Sequence, residues 1–322
     1  MTMPCLRLRS GLAPHIEALI AEKNALGYPY VQSARHLAAF DALCSERFPD
    51  ETSLTRDMAM LWAERREGES ASTQARRVSP VRALGEHMSR RGFDAFVIPR
   101  GVPAHESDYV PYIYTRDEVA SLIDAADVMA SAARGRDASK RAMLPCVIRL
   151  LYSTGMRHGE ARLLRRADVD LTSGVLSVAT SKSGKGRLVP VSDEMAEHLR
   201  SYDDSAGRRE WFFESTRATH HAKSWLQQSF LSLKYLAGIE EPGVRKRVHD
   251  LRHTFCVHRL DDWVREGRDV SAMLPYLSAY VGHSSIESTD YYLHLVPDFF
   301  GEYAQLTERR SSAVPGLGEG DA

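Results

Sequence analysis

Four short segments of this 322-residue sequence carry side chains suited to work on a phosphodiester. They are Gly155-Met156-Arg157-His158-Gly159-Glu160, a Ser/Gly/Lys turn containing Lys182, His249-Asp250-Leu251-Arg252-His253, and Gly282-His283 followed nine residues later by Tyr292. Breaking a phosphodiester needs a nucleophile, donors for the charge that builds on phosphorus-bound oxygen, and a proton for the leaving oxygen. Arg157 and Arg252 offer planar, always-charged forks matched to the two non-bridging oxygens, and His283 offers a third donor. Tyr292 can attack once its phenol, ordinarily near pKa 10, gives up its proton. His249 is the candidate base and Lys182 the candidate acid for the leaving oxygen. Each segment alone also has an ordinary reading. Arg157 alone is a surface arginine, and Tyr291 and Tyr292 are half-buried aromatic residues. His249 and His253 share a helix face at metal-ligand spacing, but H-D-L-R-H lacks the glutamate of H-E-x-x-H and no third ligand accompanies it. His253 therefore reads as a structural or hydrogen-bonded residue.

The elements that must position these groups follow from periodicity. Apolar residues at spacings of three and four (Ile16, Leu19, Ile20; Leu37, Phe40, Leu43; Val81, Leu84, Met88), with Trp62, predict about four helices before residue 99 and no strand. Residues 101–114, with Pro103 and Pro111, read as irregular chain. Thr115 and Glu118 form a T-x-x-E capping box that opens a second domain. An apolar helix with Pro145 near its start stops at Gly155. Residues 175–180 and 186–191 read as a hairpin around 181–185, residues 131–139 as a loop, and 211–213 as a further strand. The remainder reads as helix. The fold class is mainly α with a small β-sheet, α+β. Its parts are a helical domain at 1–105, a linker at 106–114, a mixed domain at 115–310 and a mobile tail at 311–322.

Composition limits the alternatives. Forty-two Lys+Arg against 43 Asp+Glu give a net charge of -1, with no overall sign of a polyanion partner. The distribution is uneven. Residues 76–100 carry four surplus positive charges, Arg76 and Arg77 among them, and residues 140–190 carry seven. Four scattered cysteines offer neither a disulfide framework nor a zinc ribbon, and no apolar run suits a signal peptide or a membrane span. There is no G-x-x-x-x-G-K-[ST] loop. No cofactor and no metal are expected, and the setting reads as a reducing cytoplasm.

In this order and spacing the segments resemble the tyrosine recombinase, or phage integrase, family. The motifs are Ser-Thr-Gly-Met-Arg-His-Gly-Glu at 153–160, Lys182-Ser-Gly-Lys185-Gly-Arg187-Leu-Val-Pro190, His-Asp-Leu-Arg-His-Thr-Phe at 249–255, and Val-Gly-His-Ser-Ser at 281–285 leading to Tyr292. The match spans residues 115–294, and the helical segment before it resembles the family's core-binding domain. The resemblance implies site-specific cutting and rejoining of DNA through a 3′-phosphotyrosine. Tyr292 is the nucleophile, Arg157, Lys182, His249, Arg252 and His283 serve the phosphate, and Glu160 supports them. Lys185, Arg187, Arg76 and Arg77 are expected DNA contacts. Tyr292 is preferred to Tyr291 by its spacing from His283, and Lys182 to Lys185 by counting back from Arg187. The implied partner is double-stranded DNA with an inverted-repeat core site, bound by a homotetramer that is compatible with a monomer in solution. The implied place is the cytoplasm, at the nucleoid, away from membranes. Integration or transposition of a mobile element is the preferred role. Dimer resolution and a type IB topoisomerase are alternatives, and a non-catalytic DNA-binding protein is a more distant one. The segment after Tyr292 (Leu295, Phe299, Phe300, Tyr303, Leu306) could pass to a neighbouring protomer or pack on its own domain.

Overall fold

Apolar residues three and four apart need a common buried face, and the first hundred residues satisfy this with four helices. They are α1 (Ala13–Ala25), α2 (Val31–Arg47), α3 (Arg56–Ala63) and α4 (Ala71–Arg90). The computed structural model describes residues 7–103, 110–135, 138–178, 186–283, 289 and 292. The chain divides into two units, Met1–Tyr109 and Val110–Ala322. In the first unit Thr55 and Ser70 cap α3 and α4 by accepting the amides of Met58 and Thr73. Ile16, Leu37, Phe40, Met58, Val81 and Leu84 close one core. Buried Asp41 accepts the amides of Arg9 (2.7 Å) and Ser10 (3.1 Å) and the Ser10 hydroxyl (2.5 Å), tying the segment before α1 to α2. Arg77 lies inside this unit. Its guanidinium pairs with Glu69 at 2.8 Å and donates to the carbonyls of Trp62 and Glu64. Those donors are committed within the unit, whereas Arg76 is exposed.

The second unit opens with α5 (Arg116–Ser131), whose Thr115–Glu118 capping box is present in both directions. Tyr112 and Tyr114, read from the sequence as linker, belong to this unit. The Tyr114 ring is fully buried, its amide donates to Thr254 Oγ1 at 3.0 Å, and its hydroxyl donates to the Arg247 carbonyl at 3.1 Å. The nearby prolines signal irregular backbone, which is a different property from exposed backbone.

After α6 (Ala138–Ala142) comes α7 (Leu144–Thr154). Leu144, Val147, Ile148, Leu150 and Leu151 leave at most 1% of their surface exposed, so α7 is the central rod of the unit. It packs against α5, α9 (Asp193–Ala206) and α11 (Asp250–Arg265). Each such side chain contributes roughly 1.5–3 kcal/mol by leaving water. Pro145 sits in the first turn of α7, where its missing N–H costs nothing. The short α8 (His158–Arg162) follows.

The sheet is antiparallel, in the order β1 (Val169–Asp170), β2 (Val175–Val178), β3 (Arg187–Pro190). Leu176 pairs with Val189 and both are fully buried, while Ser177 pairs with exposed Leu188, the alternation expected of a sheet with one wet face. The two-residue β1 is too short to leave a period-2 pattern. The strand expected at 211–213 is absent; an isolated bridge joins Arg165 to Trp211. Phe212 and Phe213 are both fully buried, which adjacent residues of a one-sided strand cannot be. The unit is completed by α10 (Trp225–Leu236) and by α12 (Val270–Val281), which packs on α11 and β3.

Candidate active site

The site is built where α7 stops. Gly155 caps α7 in the left-handed region at φ +60°, and a Cβ there would lie 2.4 Å from Phe255 Cδ1. The turn buries Met156 and leaves Arg157 as the N-cap of α8. Glu160, three residues on, accepts the Arg157 amide (2.8 Å) and Arg157 Nη1 (2.9 Å). From β3, Arg187 donates Nη1 and Nη2 to the same carboxylate at 3.0 and 2.8 Å, and its Nε to the Tyr280 carbonyl. Burial alone would raise the Glu160 pKa, but the hydrogen bonds from Arg187 and Arg157 hold it at about 2. Arg187, expected to contact DNA, is here a brace for Glu160.

Arg252 enters from the first turn of α11 and is 3% exposed. Its Nη1 donates to the carbonyls of Gly155 and Val281, both at 2.8 Å. Arg157 Nη2 donates to the Gly282 carbonyl at 2.9 Å. Gly282 is the left-handed cap of α12, at φ +72°. Both arginines are thus held by carbonyl oxygens at the C-terminal ends of α7 and α12, where the helix dipole favours cations. Arg252 Nη2 is buried and has no partner among the described residues. Burial first, then the charge of Arg157, lowers the Arg252 pKa to about 10, so it stays charged at neutral pH.

Four histidines line the same space. His249 caps α11, and its ring lies 5.1 Å from His253, one turn on, and 5.9 Å from His158. The Nδ1 atoms of His249 and His158 are buried without partners among the described residues. His283 bonds Thr289 Oγ1 through Nδ1 at 2.8 Å, and its ring stacks 5.9 Å from Tyr292. Tyr292 is 3% exposed, and its hydroxyl lies 2.9 Å from His253 Nδ1. Burial and the neighbouring cationic and imidazole side chains push His249 and His283 down to about 3 and His253 down to about 4. The imidazoles are therefore neutral at pH 7.

The structure brings Arg157, Glu160, Arg187, His249, Arg252, His283 and Tyr292 into one cluster, and adds His253. Lys182, Lys185 and Tyr291 lie outside the described residues. Arg76 and Arg77 belong to the other unit. The sequence signal for His253 was its place four residues after His249, on the same helix face. Its contact with a residue 39 positions later could not be read from spacing. The arrangement is a cationic cradle with two fixed guanidinium forks, neutral imidazoles and one phenol, suited to holding an anion beside a nucleophile. A separate cavity of about 800 Å³ lies between α11, α12 and β3, lined by residues including Phe255, His258, Trp263, Tyr276, Leu277 and Tyr280.

Comparisons with known proteins agree with this chemistry. Residues 113–298 match the model of the phage integrase family. The chain is 32% identical over 289 residues to y4rE of Sinorhizobium fredii, which carries the name integrase/recombinase; the alignment covers 88% of this chain and 91% of that protein. It is 28% identical over 246 residues to the tyrosine recombinase XerD of Rhizobium meliloti, covering 74% of this chain and 75% of that one. Among solved structures, XerH recombinase bound to its palindromic difH substrate superposes with a TM-score of 0.66 at 19% identity, over 92% of this chain and 84% of that one. The chain belongs to the phage integrase family: it is a tyrosine-type site-specific recombinase.

Proposed function

We propose that this recombinase cuts one DNA strand at a time with Tyr292 and rejoins it to a partner strand. The observation that carries the reading is the phenol of Tyr292 stacked on His283, with Arg252 in electrostatic reach of both and of Arg157. The phosphate seats with its non-bridging oxygens on Arg157 and on Arg252 Nη2, which has no partner among the described residues, and His283 adds a donor. Tyr292 oxygen attacks phosphorus, a 3′-phosphotyrosyl bond forms and the P–O5′ bond breaks. Lys182 gives the leaving 5′-oxygen its proton, and the histidines of α11, with His249 the base expected from the sequence, take the phenol's proton. A 5′-hydroxyl from the partner strand reverses the steps. Each preorganised donor is worth roughly 10²–10³ in rate. Glu160 orients Arg157 and, as the sole carboxylate bonded to either catalytic arginine among the described residues, leaves the cradle cationic.

The helical first unit contributes to DNA binding, with exposed Arg76 as a phosphate contact; Lys185 is a further phosphate contact. Strand exchange engages two duplexes and four protomers on an inverted-repeat core site. The apolar segment that follows Tyr292 passes to a neighbouring protomer or packs on its own domain. The extended similarity to y4rE, named integrase/recombinase, supports integration of a mobile element as the role; dimer resolution and a type IB topoisomerase are the alternatives.

A nicked suicide duplex tests the reading. The wild-type chain forms a covalent adduct, Tyr292→Phe forms none, and Tyr291→Phe retains it. An adduct that persists in Tyr292→Phe and vanishes in Tyr291→Phe overturns the choice of nucleophile. A 5′-bridging phosphorothiolate, which leaves without a proton, restores Lys182→Ala; rescue of Lys185→Ala instead reassigns the acid.

A further inference from the structure

The histidine nearest the nucleophile is not the one its motif position suggests. His253 Nδ1 lies 2.9 Å from the Tyr292 hydroxyl, within the range in which a proton can transfer directly. His249 sits one helical turn back, with its ring against His253. We infer that His253 is the general base that takes the proton from Tyr292, with His249 behind it. The inference rests on the reading of Tyr292 as the nucleophile.

Three observations carry it. First, the contact suits the tautomer a base needs. A phenol O–H that donates to Nδ1 needs that nitrogen unprotonated, which leaves Nε2 as the protonated nitrogen of a neutral His253 ring. Second, the alternatives are placed differently. His283 Nδ1 is engaged with Thr289 Oγ1, and its ring stacks against Tyr292. His249 packs with its ring perpendicular to that of His253, at 90°. Third, the surroundings bias the direction of transfer. With no anion in the cradle, burial and the charge of Arg252 keep His253 neutral, the form a base must have at rest. An arriving phosphate brings negative charge against Arg157 and Arg252 and raises the proton affinity of the imidazoles around it. The base becomes strong only when its substrate is seated.

The step balances. The Tyr292 O–H bond breaks, its proton moves to His253 Nδ1, and the oxygen lone pair forms the O–P bond. The P–O5′ electron pair leaves with the 5′-oxygen, which is protonated by Lys182. His253 is then an imidazolium beside the phosphotyrosine. On rejoining it returns the proton to the departing phenolate oxygen, so one residue serves both directions.

The test compares His253→Gln and His249→Gln with wild type. Glutamine keeps a hydrogen-bonding side chain but cannot accept a proton at neutral pH. The substrate is the nicked duplex that the wild-type chain captures covalently from a library of random-core duplexes. His253→Gln is expected to cleave about 10²–10⁴-fold more slowly than wild type, with its affinity for the same duplex unchanged. Placing 3,5-difluorotyrosine, a more acidic phenol, at position 292 should restore much of the rate in His253→Gln. The 5′-phosphorothiolate should not, because the defect is on the attacking side. In the free protein, ¹⁵N resonances of His253 should report protonated Nε2 and an accepting Nδ1 that shifts in Tyr292→Phe. A wild-type rate in His253→Gln, or rescue by the phosphorothiolate in place of the fluorinated tyrosine, overturns the inference. A large rate loss confined to His249→Gln assigns the base to His249 and overturns it too. If the wild-type chain captures no duplex at all, the failure belongs to the recombinase reading itself.

Discussion

Glu160→Gln removes one negative charge from beneath two arginines, and its effect can be worked out from the site. The Glu160 side chain is 6% exposed and accepts from Arg157 and twice from Arg187. Its folded pKa of about 2 compares with about 4.3 for an unfolded glutamate. That difference is worth about 3 kcal/mol of stability at pH 7. The folded group is the more acidic one, so the contribution is complete above about pH 4.3 and is lost as pH falls through about 2. Urea unfolding followed by tryptophan fluorescence suits the measurement, because Trp211, Trp225 and Trp263 lie in the second unit and only Trp62 in the first. With an m-value of about 2–3 kcal/mol/M, the midpoint should fall by roughly 1–1.5 M at pH 7. The gap between wild type and Glu160→Gln should narrow as pH drops below about 4. Cleavage should also slow, because Arg157 loses the partner that aims its fork. A stability loss under about 1 kcal/mol at pH 7, or a gap that does not change down to pH 3, would refute the account of Glu160 as the ionised brace of the cradle.

Other outcomes follow from the same geometry. Gly155→Ala should destabilise the second unit by about 2–5 kcal/mol, from left-handed backbone strain and crowding against Phe255, and should lower cleavage with it; thermal unfolding and adduct yield measure both, and an unaffected variant would mean the turn is not under constraint. Arg77→Ala should cost the first unit about 1–3 kcal/mol, because it removes a buried guanidinium and leaves the carbonyls of Trp62 and Glu64 without their donor. Arg76→Ala should leave stability unchanged and reduce the slope of log affinity against log salt by about 0.9; equal slopes in the two proteins would remove Arg76 from the DNA contacts. His249, His253 and His283 resist protonation in the fold, so stability should fall as pH drops below about 6.5, by up to about 1.4 kcal/mol per pH unit for each. His249→Asn should flatten the slope between pH 6.5 and 4; an unchanged slope would show that burial there is not what holds these rings neutral.

How much of this was legible beforehand depended on whether the signal was local. The Thr115–Glu118 box, Pro145 at the start of α7, Gly155 at its end and the hairpin are decided within a few residues, and spacing alone revealed them. Long-range facts were hidden. Arg77 and Arg76 are neighbours with the same chemistry, yet a helix turns successive side chains about 100° apart, one into the core and one into solvent. The sequence points Arg187 at DNA, because charge in a basic run says nothing of a carboxylate 27 residues away. The prolines near Tyr114 point to a linker, and nothing local signals its partner Thr254, 140 residues on. The residues proposed for catalysis are visible as motifs, but which histidine touches the phenol depends on how α11 meets the chain beyond α12, and no motif encodes that.

The anchorage of the two arginines by main-chain oxygen has a consequence for how this site would respond to mutational scanning. The atoms that grip Arg252 and Arg157 are the carbonyls of Gly155, Val281 and Gly282, which every residue type possesses. Replacing the Val281 side chain leaves its grip on Arg252 in place, so a deep scan would score that position for packing alone and the anchor would be silent. Chemistry that edits the backbone would expose it. An ester in place of the amide following Val281 weakens that carbonyl as an acceptor while leaving every side chain intact; it also removes the Gly282 N–H that bonds the Ser278 and Ala279 carbonyls, a loss that thermal unfolding registers separately. The loss of cleavage it causes would map a part of the active site that no codon change can reach.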